Sequence, residues 1–222
     1  RFFAARRGDR RADGTVDANA PKGANVRYEI VSPPGVLTGF SAKADGDDAV
    51  VEADYSGPLQ QARWRISATG GVRLDYTYDY EGVTELMGVD FDYPEAKVKS
   101  IRWLGRGPYR VWQNRLRGTT LDVWQNACND TVTGQSWIYP EFKGYFRGWK
   151  WARFATTEGA FTLENETPHS YLGVYTPGHA DGGPLCILPR TGSSVLTVIP
   201  AMRNKVNETD MIGTTSQPQW VS

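Results

Sequence analysis

The chain has 222 residues, with 25 basic and 25 acidic side chains and a formal net charge of zero, so it offers no general attraction for nucleic acid or an anionic membrane. Its 24 glycines, 13 prolines and 8 tryptophans weigh against a helical bundle and favour an all-β domain with many turns. No apolar run approaches the ~18 residues of a membrane span, and two cysteines, Cys128 and Cys186, permit one disulfide but supply no metal-ligand spacing.

The chain opens on RFFAARRGDRR, five arginines in eleven residues, which reads as a frayed end or interdomain edge more readily than as a nucleic-acid arm. No signal peptide heads the chain. Its first residue is arginine, so an excised or processed fragment is expected. Residues 1–25 read as an edge strand followed by a loop or interdomain segment, and residues 26–222 as a single sandwich domain. From Val26 short alternating runs follow one another between turn residues. VRYEIV ends at SPPG, AVVEADY ends at SGPL, and QQARWRISATG passes through a glycine corner into GVRLDYTYDY. In that last run Val72, Leu74, Tyr76 and Tyr78 share one face and Arg73, Asp75, Thr77 and Asp79 the other, the period of a half-buried antiparallel strand. LMGVDFDYP, KVKSIRWLG, WKWARFAT, AFTLENE, YLGVYTP and SVLTVIPAM continue the series. No window sustains a helical stripe, so few helices are expected, with a turn near residues 119–127. The architecture that follows is one large antiparallel β-sandwich.

One stretch is denser than the rest. WLGRGPYRVWQNRLRGTTLDVWQN, residues 103–126, crowds tryptophans and arginines beside a Gly-x-Gly-Pro corner. A phosphate loop is excluded, because GRGP lacks the Gly-Lys-Ser/Thr ending and no βαβ pattern surrounds it. Two readings remain, a sugar site and a core with cationic stacking. Sugar rings pack C–H patches on aromatic faces and need short polar partners nearby. Tyr109, Trp112, Trp124, Trp137, Tyr139, Tyr145 and Trp149 offer rings, and Asn114 is among the polar partners, together with Arg110, Gln113 and Gln125. The same aromatics also suit a sandwich core. Arg115 and Asp122 read as an ion pair rather than as ligand groups.

The segment VKSIRWLGRGPYRVWQNRLRGTTLDVWQN, with Trp103, Gly105, Gly107, Pro108, Asn114, Arg115 and an aromatic-bearing acidic strand at the Asp122–Trp124 pair, resembles the C-terminal β-sandwich domain of family 2 glycoside hydrolases of the β-galactosidase type. YPEFKGYFRGWKWARF continues the resemblance through Tyr139, Pro140, Gly144, Lys150 and Trp151, and RWRISATGGVRLDYTYDYEG matches the hairpin before it. The resemblance covers roughly residues 48–175 and implies a galactose-mutarotase-like β-supersandwich. Phe142 and Lys143 stand where the family usually places Glu-Asn, and HADGGPLC carries no tryptophan where that family closes its galactose pocket. The resemblance therefore does not fix galactose as the sugar, and leaves open another sugar or a place for this domain away from the catalytic site.

In the resembled family both catalytic carboxyl groups, about 5 Å apart in retaining enzymes, come from a separate barrel. The resemblance therefore implies a non-catalytic accessory domain without cofactor or metal. Its expected partners are a catalytic domain of the same polypeptide and an oligo- or polysaccharide, with no nucleic acid and no membrane. A secreted or periplasmic location is implied likewise. The alternative is a small independent sugar enzyme on the same fold, an epimerase or lyase. That chemistry asks for a histidine acid, and the chain has His169 and His179 alone.

Overall fold

The computed structural model of the chain describes residues 1–20, 28–127, 144–174, 192–201 and 217–222. Their regular structure is antiparallel strand apart from a 3-10 turn at Glu95–Lys97. The larger sheet runs in the order β10 (Thr120–Ala127), β9 (Val98–Val111), β11 (Tyr145–Thr156), β13 (Tyr171–Val174), β14 (Ser193–Val198), β8 (Leu86–Phe91), β1 (Phe2–Arg7) and β2 (Tyr28–Ile30), and β12 (Gly159–Glu164) pairs with β11. A second, four-stranded sheet is the meander β3 (Val36–Asp45), β4 (Asp48–Ser56), β5 (Leu59–Ile66) and β6 (Val72–Tyr78). β7 (Gly82–Thr84) and β15 (Gln219–Val221) form a small ribbon.

The two large sheets pack face to face, as the sandwich reading requires. Phe2, Ala4, Met87, Val89 and Val198 on the larger sheet meet Leu59, Tyr76 and Tyr78 from the smaller one. Phe2 and Tyr78 lie 4.8 Å apart between ring centres, and the Tyr78 hydroxyl donates to Thr197 Oγ1 at 3.0 Å. Further along the same face of the larger sheet, Ile101, Trp103, Phe146, Phe154 and Leu172 form a second cluster. The opposite face carries a third, built from Phe3, Leu86, Val111, Trp112, Tyr145 and Leu196. The larger sheet is thus buried on both sides at its β8–β1 end, which is why FFAA reads as a continuous apolar run. Gly88 belongs to that crowding, since a Cβ there would stand 2.2 Å from the Val195 carbonyl oxygen.

Alternation placed β4, β5 and β6 well. Leu74, Tyr76 and Tyr78 are half-buried while Arg73, Asp75 and Thr77 are exposed, but Val72, expected on the half-buried face, is 58% exposed at the strand's start. Three expectations change. β1, expected at an edge, is paired to β8 on one side and β2 on the other, because its wholly apolar start needs cover on both faces. Residues 119–127, where pattern suggests a helical turn and the resemblance a strand at Asp122–Trp124, hold the strand: β10 pairs with β9. Gly105–Pro108, expected to make a corner, lies inside β9. Its proline sits just past the last β10 partner, Gly107↔Thr120, where a missing N–H costs no ladder bond. β3 was not anticipated at all.

Candidate functional site

The aromatic stretch is built into β9, the corner after it, β10 and the start of β11. At the corner, Trp112 and Arg115 close a tight turn: the Arg115 amide donates to the Trp112 carbonyl at 2.8 Å, and Gln113 donates to Pro200 at 3.0 Å. Gly105 and Gly107 are glycines because indoles lie against them. A Cβ at Gly107 would stand 2.7 Å from the Trp124 ring, and one at Gly105 would stand 3.0 Å from both Trp103 and the Trp149 backbone. Trp124 is held in that place by its own N–H, which donates to the Gly105 carbonyl at 3.1 Å.

The rings lie inward. Trp103, Trp112, Tyr145 and Trp149 are 0–2% exposed. Trp112 meets Tyr145 edge to face at 5.3 Å, and Trp103 meets Phe146 at 4.6 Å. Arg110 places its guanidinium carbon 4.8 Å over the Phe146 ring, an attraction strengthened by desolvation. Among the described residues the indole N–H groups of Trp103, Trp112 and Trp149 find no acceptor, and the rings pack against apolar neighbours. Of the sequence-predicted sugar wall, Trp112 and Tyr145 therefore meet in one core cluster, and Trp149 is buried in another on the opposite face of the sheet. The expectation that Trp112 is an exposed ring is overturned by the cover from β1, β8 and β14 residues in its cluster. Trp124 and Asn114 are half-buried, and Tyr109 is the open one at 46%. Trp137 and Tyr139 lie outside the described residues, as do Cys128, Cys186 and His179.

The expected ion pair between Arg115 and Asp122 is not formed. Asp122 is exposed on β10 beside Gly105, and its Oδ1 accepts the Val123 amide at 2.7 Å. His169 is exposed in a turn at φ 58°. The arginine-rich start is no frayed end: Arg7 pairs with Asp9, Arg10 approaches Glu85 at 3.6 Å, and the Arg10 and Glu85 side chains are 2% and 7% exposed.

Perturbed carboxyl groups are the usual markers of catalytic acids, and two stand out here. Glu85 is raised above the ordinary glutamate value by burial, against the pull of Arg7 and Arg10. Asp90 is raised for the same reason, against its bond from Ser194 and the charge of Arg1. Both have structural employment. Glu85 Oε2 accepts the Arg7 amide at 3.2 Å, and Asp90 Oδ1 accepts the Ser194 hydroxyl at 2.9 Å while its carbonyl accepts the Arg1 nitrogen at 2.7 Å. They clamp opposite ends of β1. Among the described residues no group of three or more His, Cys, Asp or Glu side chains is placed to hold a metal ion.

The fold and this stretch define an all-β sandwich domain with a tryptophan-rich core. The family described as beta galactosidase small chain matches residues 17–186, and the chain belongs to that family. No curated protein matches it.

Proposed function

We propose that the chain is the non-catalytic β-sandwich of a carbohydrate-active enzyme resembling family 2 glycoside hydrolases, with the galactose-mutarotase-like supersandwich as its fold. It supports the catalytic barrel of the same polypeptide and presents a surface to that enzyme's polysaccharide. The observation that carries the reading is the fate of the aromatic stretch within a member of the beta galactosidase small chain family. Its tryptophans and glycines interlock as a core, while the two carboxyl groups raised by burial serve the sheet, Glu85 holding β1 and Asp90 holding β14. Support for a catalytic neighbour asks for such rigidity and leaves bond cleavage to carboxylates elsewhere.

The test is an assay of the purified chain against aryl β-glycosides, reducing sugars and uronate polymers, following aryl release, anomeric equilibration and ultraviolet absorbance. No turnover is expected in any arm. Glycoside cleavage, epimerisation or eliminative cleavage by the chain alone contradicts the proposal.

A further inference from the structure

The larger sheet changes character along one face. At its β14–β8–β1 end that face holds the Phe3, Leu86 and Leu196 core. At the β10–β9–β11–β12 end the same face is open. Register fixes what stands there in rows across the strands. Gln125, Arg102, Arg153 and Thr162 make one row; Val123, Leu104, Trp151 and Glu164 the next; Leu121, Arg106 and Arg147 the third. Arg102, Arg106 and Arg153 are exposed, and Trp151 is half-exposed between them.

Two arginine pairs therefore face each other directly, Arg102 opposite Arg153 and Arg106 opposite Arg147. Like charges in directly opposed positions of a sheet are destabilising. No carboxylate offsets them: none of the four forms an ion pair among the described residues, and Glu164 is the one acidic side chain in these rows. Arg106 and Arg147 are instead steadied by the corner after β9, donating to the Thr119 carbonyl at 3.4 Å and the Leu116 carbonyl at 3.1 Å. The forks are held in place with their charge unspent. Arg102 and Arg106 stand four residues apart on one face of β9, about 13 Å along the strand, room for anionic groups on alternate sugars of one chain. Trp151 supplies a ring between them, and Gln125 and Thr162 supply hydroxyl partners at the rim.

We propose that this open face binds an anionic polysaccharide, its arginines taking oxyanion groups of the glycan, either uronate carboxylates or sulfate esters, and Trp151 taking a sugar face. Guanidinium forks match both oxyanions in geometry. The inference rests on the reading above that the chain serves a polysaccharide-acting enzyme, and it narrows that polysaccharide to an acidic one. A single ring among four cations on a chain of zero net charge suits an anionic sugar chain better than a single-stranded nucleic acid, which wants successive stacking rings.

Affinity electrophoresis of the whole chain decides it, through gels containing polygalacturonate, a sulfated galactan, the same galactan after desulfation, or single-stranded DNA. Retardation is expected from at least one anionic glycan and not from the desulfated one, and it fades as salt rises. Which anionic gel retards the chain assigns carboxylate or sulfate. Losing charge-assisted hydrogen bonds, the double variant Arg102→Gln/Arg153→Gln is expected to weaken binding about tenfold or more. Trp151→Ala weakens it as well, and Arg65→Gln on the other sheet leaves it unchanged. Circular dichroism melts confirm that each variant is folded. The proposal is overturned if neither anionic glycan retards the chain, if the desulfated galactan retards it equally, if the double variant binds as wild type, or if DNA alone retards it. None of those results bears on the absence of turnover, so a failure here is separable from a failure of the accessory role.

Discussion

Both sheets turn arginines to solvent, and they treat them differently. On the four-stranded sheet Arg65 and Arg73 are directly opposed, yet Arg65 reaches Asp45 and Asp48 while Arg73 reaches Asp75 and Glu166. Lys43 and Arg63 share Glu52 in the next row, and Val50, flanked in register by Lys43 and Arg65, is fully buried. That face has its cations matched by carboxylates, all from its own sheet except Glu166, which follows β12. On the larger sheet Arg102 and Arg153 oppose each other, and neither forms an ion pair among the described residues. A charge satisfied within its sheet serves the fold, and a charge left over invites a partner.

The contrast is sharpened first where the effects are large. Trp103→Ala removes a fully buried indole and is expected to cost ~3–5 kcal/mol. Tyr109→Ala, at an exposed ring, stays within about 0.5 kcal/mol. Denaturant titration of the two variants separates core from surface in the aromatic stretch, and a reversed order would return the tryptophans to the ligand. Glu85→Ala leaves Arg10 buried beside no carboxylate and is expected to cost ~3–5 kcal/mol, read from the same titration.

A pH effect of intermediate size follows from the buried acids. Burial raises the folded values of Glu85 and Asp90 above their ordinary ones, so between those values the folded chain binds more protons than the unfolded chain. Their contribution is present below the ordinary carboxylate range and is lost as pH rises through the raised folded values. Thermal melts from acid to neutral pH should show that downward slope, and Glu85→Gln with Asp90→Asn should flatten it. A slope of the opposite sign would mean that pairing with Arg7, Arg10 and Arg1 outweighs burial.

The smallest effects test the two arginine faces against each other. Arg65→Ala breaks two exposed pairs and should lower the melting temperature slightly at low salt and not at high salt. Arg102→Ala relieves a repulsion and should leave the melting temperature unchanged or slightly raised under the same conditions. Matching losses in both variants would remove the distinction between paired and unpaired faces.

Much of the smaller sheet could be read directly, because Val72, Leu74, Tyr76 and Tyr78 alternate cleanly with charges. β3 could not, since VLTGFSAKAD mixes glycine, serine and alanine, and its Val36, Leu37 and Phe40 are exposed at 54–67%. β10 looked like a turn because TTLDVWQN is polar, yet its pairing with β9 is what brings Trp124 over Gly107. The site was harder still. Alternation shows that Arg102, Leu104 and Arg106 share a face of β9, but only the β9–β11 register, with its bulge between Arg147 and Trp151, brings Arg153 and Arg147 opposite them. Whether a tryptophan lines a core or a ligand depends on which sheet face is covered, and no local pattern carries that. Sequence pattern alone offers Trp112 and Trp149 as sugar rings, although both are buried, and it does not single out Arg102, Arg153 and Trp151, which the sheet register brings together.

The most direct test of the accessory role is reconstitution. The barrel-bearing polypeptide proposed as partner is expressed without this sandwich and titrated with the purified chain while glycoside hydrolysis and thermal stability are followed. The account predicts that activity and melting temperature rise to a plateau at one chain per barrel, with no hydrolysis by the chain alone. A barrel indifferent to the added chain, or hydrolysis by the chain in the barrel's absence, would contradict it.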